Sequence, residues 1–332
     1  MNANGSVAGL VLFSGGLDSQ LGTHLVRRQG VLVRGVHFVS VFWEGREEDV
    51  RASAAEIDLE LVEAEISDEM IEVVRDPPHG YGKCMNPCLD CKILMLSRAR
   101  RIMEEGGYRF LVTGEVVGQR PMSQRRDCFP LLEKAAEVCG LVVRPLSGKL
   151  LPATVAEERG WIDREELLAV SGRSRKAQLD IAGKLGLAHY STPAGGCLLT
   201  DPNFSRRLRD LLASEQAWGG QDVRLLRMGR HFRLTPSLKL VVGRNEEENR
   251  RLETFLDSED LRFDPEGVPG PLALLRGKVA PDDLRTALGI VARYSDHEGR
   301  PVVVVATSPD GREVVRKEVV APPHREIEQL RV

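Results

Sequence analysis

The residues Ser14-Gly15-Gly16-Leu17-Asp18-Ser19 bring together the side chains best suited to hold a phosphate. A Gly-Gly pair lets the backbone turn tightly and come close to a ligand. A helix starting at Leu17 would point its first amides outward, where they can hold a phosphate. Ser14 and Ser19 add hydroxyl donors, and Asp18 can hold Mg²⁺ against the phosphates. The run is not the GxxxxGK[ST] loop, because no lysine follows it. The plainer alternative is a tight strand-to-helix turn with incidental serines.

The cysteines are the second chemical group. Six are present, and Cys84, Cys88 and Cys91 form a Cx3CxxC run between Lys83 and Lys92. Thiolates spaced in this way at a helix start can converge on one metal or cluster. Helix-start amides also lower a thiol pKa. Cys197 follows Ala194-Gly195-Gly196, and the two glycines allow its loop to approach another element closely. A structural zinc site on Cys84, Cys88, Cys91 and Cys197 is one reading, since spacing alone does not identify the metal. Cys128 and Cys139 lie in an apolar stretch and read as small core residues.

These groups need a scaffold, and 332 residues are enough for two or three domains. Val7–Phe13, Val31–Phe42, Leu59–Ile66, Phe110–Gly114 and Leu141–Arg144 read as strands. Leu17–Arg28, Glu44–Ile57, Leu89–Glu105 and Phe129–Cys139 read as the helices between them. Such alternation predicts an α/β domain, a mostly parallel sheet covered by helices on both faces. Ligands in such folds sit beyond the carboxyl ends of the strands, where Ser14 to Ser19 lies. The expected boundaries are 1–148 for this domain, 149–222 for a small helical domain carrying Cys197, and 223–332 for an α+β domain. In the last, His231–Leu234, Lys239–Val242, Ala273–Leu275, Val302–Ala306 and Glu313–Val320 read as strands, and Asn249–Leu256 as a helix.

The formal net charge of −3 argues against a uniformly basic nucleic-acid binder but leaves room for local basic patches. No apolar run approaches membrane-spanning length, and Met1 to Val7 lacks the pattern of a signal peptide. The expectation is a cytoplasmic protein with no membrane partner. Clustered cysteines there point to metal or sulfur chemistry more than to disulfides. The Arg120–Arg126 loop and Ser171–Lys176 are basic and turn-rich, suited to RNA phosphates or simply to solvent.

Ser14 to Ser19 matches SGGxDS, the PP-loop motif of the ATP pyrophosphatases. Members of that superfamily use ATP to adenylate a carbonyl oxygen and release pyrophosphate. The resemblance implies ATP and Mg²⁺ as cofactors, with Ser14, Gly15, Gly16, Asp18 and Ser19 around the phosphates. Thr113-Gly114 matches the Thr-Gly dipeptide that the superfamily places near the adenine and α-phosphate. Asn86-Pro87 followed by Cys91, with a distant cysteine, resembles the tRNA 2-thiouridylases. That alignment makes Cys91 and Cys197 the functional pair, with Asp18 serving catalysis at the phosphates, and puts Cys88 where the family has aspartate. A further branch of PP-loop thiolases holds a 4Fe–4S cluster on a CxxC pair and one distant cysteine, which Cys88, Cys91 and Cys197 fit. Zinc on the same residues, or a persulfide pair, is the alternative.

Residues 1 to about 200 thus resemble the tRNA 4-thiouridine synthase and 2-thiouridylase group. Gly243-Arg244-Asn245 and the surrounding C-terminal stretch resemble the NFACT RNA-binding domain, where Arg227, Arg230, Arg233, Lys239 and Arg244 would form a basic face. The expected activity is that of an ATP-dependent tRNA sulfurtransferase, with tRNA as substrate and a cysteine desulfurase or sulfide as sulfur donor. Two rivals remain open at this point. One is a PP-loop sulfur or amide transferase acting on a small molecule. The other is a non-catalytic RNA-binding protein.

Overall fold

Strand β1, Ala8–Leu12, is a short apolar segment whose first four residues are buried. Its buried neighbours Leu10 and Val11 belong to different apolar clusters, because successive strand side chains point to opposite faces. The structure is a computed structural model that describes residues 7–43, 45, 47–190, 197–215 and 217–332. The chain falls into two units, Met1–Thr200 and Asp201–Val332.

In the first unit, β1 is followed by α1 (Leu17–Arg27), β2 (Leu32–Val39), α2 (Glu47–Glu56), β3 (Leu61–Glu65) and α3 (Ser67–Arg75). Then come α4 (Cys88–Glu105), β4 (Phe110–Thr113), α5 (Cys128–Ala135), β5 (Val142–Val143), α6 (Val155–Glu158) and α7 (Lys176–Leu185). The sheet order is β3-β2-β1-β4-β5, and every pair is parallel. The chain winds one way from β1 to β3, then crosses back to β4. The crevice outside the carboxyl ends of β1 and β4 is therefore the topological switch point. One face packs Leu10, Val36 and Leu111 against Leu96, Ala99 and Met103 of α4. The other packs Val11, Phe13 and Val112 with Val50 and Ala54 of α2. Each such side chain contributes about 1.5–3 kcal/mol on leaving water.

The separate helical domain expected at 149–222 does not form. Leu151, Ile162 and Leu167 complete the two faces of the first sheet, and Ala182 of α7 packs with Leu17, Leu21 and Leu25 of α1. These segments are too short and too half-apolar to enclose a core of their own. The expected loop at 191–196 lies outside the described residues. Cys128 is buried as expected, but Cys139 is exposed, because α5 ends at Ala135 and Cys139 falls in the turn beyond it.

The second unit holds α8 (Pro202–Leu212), α9 (Gly220–Leu225), β6 (Arg230–Thr235), β7 (Leu238–Val242), α10 (Glu246–Glu253), β8 (Leu261–Glu266) and β9 (Ala273–Gly277). It ends with α11 (Pro281–Tyr294), β10 (Val302–Thr307), β11 (Glu313–Val319) and α12 (His324–Glu328). Its sheet runs β11-β10-β8-β9-β7-β6, with antiparallel pairing throughout. The sequence reading assigns no element to β8 or α11. Pro265 inside β8 argues against a strand. Residues Ala287 to Ala292 of α11 are all buried, and such a continuous run hides the helical period.

Two members of the expected basic face are not on a surface. Lys239 is 4% exposed, and its Nζ lies 2.9 Å from Asp210 Oδ2, while Arg233 holds the same carboxylate in a fork at 2.8 and 2.9 Å. Burial lowers the Lys239 ammonium to about 8 despite Asp210. A lysine whose folded pKa lies below its usual 10.5 makes the fold gain stability as pH rises from about 8 to 10.5. Lys239→Met should remove that gain, so the stability difference between variant and parent should change by about 1.4 kcal/mol per pH unit across this window. Urea unfolding of the second unit in the whole chain checks this, and a pH-independent difference contradicts it.

Candidate functional site

The loop after β1 reaches the switch point through glycine geometry. Gly15 has φ +69°, and a Cβ there would come within 3.0 Å of Val50. Gly16 is the extended N-cap of α1, with φ −79° and ψ 156°. Ser19 Oγ donates to the Gly16 carbonyl at 2.7 Å, and Thr23 Oγ1 donates to the Ser19 carbonyl at 2.8 Å. Ser14 is exposed, and its Oγ lies 3.5 Å from Ser19 Oγ. The amides of Leu17 and Asp18, in the first turn, have no earlier helical carbonyl to bond.

The end of β4 lies directly against this turn. A Cβ on Gly114 would sit 2.4 Å from the Asp18 carbonyl carbon and 2.5 Å from Ser19 N. Thr113 is buried beside it. Gln119, in the loop that follows, donates from Nε2 to Asp18 Oδ2 at 2.9 Å. Asp18 Oδ1 is buried and has no partner. A buried carboxylate oxygen without a partner among the described residues, at the open first turn of a helix, is the kind of donor that a hard cation takes, so the residues here fit Mg²⁺.

The same loop touches the cysteines. Cys88 opens α4, and its Sγ donates to Ser123 Oγ at 3.3 Å. The turn that begins at Cys197 docks nearby, since Met85 N donates to the Leu199 carbonyl at 3.0 Å. Cys91 is half-buried as a residue, and burial of its sulfur pushes the thiol up to about 12. Lys92 and Arg120 pull it down, while Cys197 and Cys88 push it up, so all three thiols share one electrostatic neighbourhood. Burial also raises the Cys197 thiol, again with Cys88 raising it and Arg120 lowering it. Among the described residues, no three His, Cys, Asp or Glu groups are spaced to hold a metal ion. The donor set is nonetheless all sulfur, which fits a soft metal or an iron–sulfur cluster. Cys84, four residues before Cys88, has φ +60°.

A buried charge network links the two parts, and the sequence marks only its first member. Glu115, 4% exposed, lies 3.3 Å from Lys92 Nζ and 3.1 Å from Arg144 Nε. Burial would raise the Glu115 carboxyl, but Lys92 and Arg144 outweigh it and hold the group below its usual range. Arg144 also pairs with Glu133 at 2.5 Å and stacks 3.9 Å above the Phe129 ring. Gln119, Ser123 and Arg144 carry no motif of their own. Only the basic, turn-rich character of 120–126 points to that loop.

Residues 4–149 match the family model described as thiamine biosynthesis protein (ThiI). The matched stretch contains every expected nucleotide contact, as well as Cys88 and Cys91, while Cys197 lies beyond its end. Residues 229–331 match the NFACT protein RNA-binding domain. A probable tRNA sulfurtransferase of Thermococcus kodakarensis is 27% identical over 192 residues, which are 55% of this chain and 42% of the relative. The chain thus spans less than half the length of the curated relative it matches.

Two solved structures are also similar in part. A 4-thiouridine synthetase–RNA complex with bound ATP is 24% identical, with a TM-score of 0.35, over 53% of this chain and 50% of that one. The U34-tRNA thiolase NcsA of Methanococcus maripaludis with its [4Fe-4S] cluster is 15% identical, with a TM-score of 0.32, over 64% and 76%. Both scores are low, and the fold rests on the strand order given above.

Gly114→Ala should destabilise the first unit by about 1–3 kcal/mol, because the methyl group meets backbone that cannot rotate away. Urea unfolding measures the loss, and an unchanged midpoint removes the contact as a constraint.

Proposed function

We propose that the chain is an ATP-dependent tRNA sulfurtransferase, which adenylates a uridine and replaces its oxygen with sulfur. The observation that carries this reading is the loop from Gln119 to Ser123. It bonds Asp18 at one end and Cys88 at the other, so a phosphate-binding turn and a thiol group share one wall. The ThiI match and the sulfurtransferase relative support it.

In this reading ATP lies over the first turn of α1, with Ser14, Gly15, Gly16 and Ser19 around its phosphates and Thr113-Gly114 beside the α-phosphate. Asp18 Oδ1 is the oxygen for Mg²⁺, which neutralises phosphate charge when bound. A uridine carbonyl oxygen attacks the α-phosphorus, its bond to the β-phosphate oxygen breaks, and pyrophosphate leaves. The ring nitrogen loses its proton in this step. Hydrosulfide then adds to the activated carbon, either free or released from a cysteine desulfurase persulfide by a thiol that ends as a disulfide. AMP departs with the original uridine oxygen, and the sulfur-borne proton returns to the ring nitrogen. The base must leave its stack to reach the turn. Cys88, Cys91 and Cys197 would hold a 4Fe–4S cluster, or zinc in its place, which supplies a binding point for sulfur. Arg120 is exposed, follows Gln119 directly and acts on Cys91 and Cys197, so it is suited to offset negative charge on sulfur and on departing AMP.

Asp18→Asn should keep the fold and abolish pyrophosphate release from ATP; turnover at the parent rate removes Asp18 from the mechanism. Protein purified without oxygen should be brown. Cys197→Ala should lose the colour and the thiolation while keeping ATP binding, and Cys84→Ala should keep the colour. A colourless preparation with stoichiometric zinc held by all four cysteines points to a structural site instead. Nucleoside mass spectrometry of cells lacking the protein should show a missing thiouridine. An unchanged nucleoside profile favours a small-molecule substrate.

A further inference from the structure

Helix α8 presents arginines that the sequence reading did not connect with the C-terminal domain. Phe204, Ser205, Leu208 and Leu211 bury one side of it, which leaves Arg206 exposed and Arg207 at the edge. The Arg207 guanidinium donates to two backbone carbonyls, Leu226 at 2.7 Å and Gly229 at 3.0 Å. Among the described residues, its buried Nε has no hydrogen-bond partner and no carboxylate bonds the group. The nearest acid is already engaged. Glu248 accepts from Gly229 N at 3.2 Å and from Arg244 N and Nε at 3.0 and 2.9 Å. Arg331 bridges to the edge strand β6 opposite Phe232 and pairs with Glu328 at 3.3 Å.

Arg244 thus pairs with Glu248 and Arg331 with Glu328, while no carboxylate among the described residues pairs with Arg206 or Arg207. The excess of two positive charges (4 − 2) has no counterpart among the hydrogen bonds of this cluster. Burial lowers the Arg207 pKa, and Arg244, Arg206 and Arg331 lower it further, although it stays protonated. By contrast, Arg233 and Arg276, also half-buried in this unit, each fork onto carboxylates. Like charges gathered at one place without matching carboxylates raise the local concentration of anions there.

We propose that Arg206, Arg207 and Arg331, with Arg244 at their margin, form a phosphate-binding site for an RNA backbone. This rests on the tRNA reading above and assigns it a surface. Guanidinium forks match phosphate oxygens in pairs, and a phosphodiester chain brings charge without needing a closed pocket. Glu246 and Glu247 are exposed on the first turn of α10, so the RNA approaches from the α8 side. Arg233 and Lys239 of the expected basic face, both held by Asp210, take no part.

The test is tRNA binding by the full chain in a salt titration. Arg206→Gln and Arg207→Gln should each weaken binding about tenfold at low salt. Each should also reduce the slope of log affinity against log salt by about 0.7–0.9, the value for one lost phosphate contact. Arg250→Gln, on the exposed face of α10, should change neither. Thermal melts check folding. If Arg207→Gln melts early, Arg206→Gln combined with Arg331→Gln should lower the slope by twice as much. Parent binding with unchanged slopes in these variants overturns the site and leaves the tRNA reading standing. Absence of parent binding at low salt overturns both. Displacement of tRNA by millimolar inorganic phosphate, beyond the effect of chloride at equal ionic strength, would mark a free-phosphate site and overturn the RNA assignment.

Discussion

The approach of Gly114 to the first turn of α1 sets the geometry of the first unit. Any Cβ there would lie inside the backbone of Asp18 and Ser19. The absent side chain lets the end of β4 close onto the turn after β1, and the two walls of the switch-point crevice meet. The loop leaving β4 then runs past the turn after β1 and on to the start of α4. Gln119 reaches Asp18 because of that path, and Ser123 reaches Cys88 a few residues later.

The charge network beneath this loop ties the crevice to the cysteine helix. Glu115 follows Gly114 directly, and Lys92 follows Cys91 directly, so their ion pair fixes the end of β4 against the start of α4. Arg144, at the end of β5, closes the network from the next strand. A buried pair of this kind adds little net stability over an apolar substitute, but removal of one partner costs about 3–5 kcal/mol. Its effect is therefore on registry. It specifies how far the thiols stand from the phosphate turn, the distance on which any transfer between them depends.

What is local was legible in its placement. A Gly-Gly pair between an apolar strand and a helix marked Ser14 to Ser19 as a tight turn, and the spacing of Cys88 and Cys91 set both at a helix start. The partners that organise them were not. Gln119 bonds a residue 101 positions away and Ser123 one 35 positions away, and neither residue type announces such a role. The strand-helix alternation gave the parallel sheet, but the middle helices had no sequence mark to say whose core they would complete. Arg233 and Lys239 misled for the same reason, since Asp210, 23 and 29 positions away, takes up both charges.

That last case shows what separates a structural arginine from a binding one. Composition treats Arg207 and Arg233 alike, and both are half-buried beside α8. The difference lies in what faces them. Arg233 meets a carboxylate whose own pKa is lowered by that contact, a mutual stabilisation that closes the site to other anions. Arg207 meets only peptide carbonyls, whose partial charges orient the guanidinium without cancelling it. An arginine held in place but left charged keeps its attraction for an outside anion and has little conformational entropy left to lose on binding. The same logic holds at Asp18 with the sign reversed. Gln119 orients the carboxylate through one oxygen and leaves the other without a partner. In both units, a neutral partner fixes a charged group and leaves its charge for something that arrives from solution.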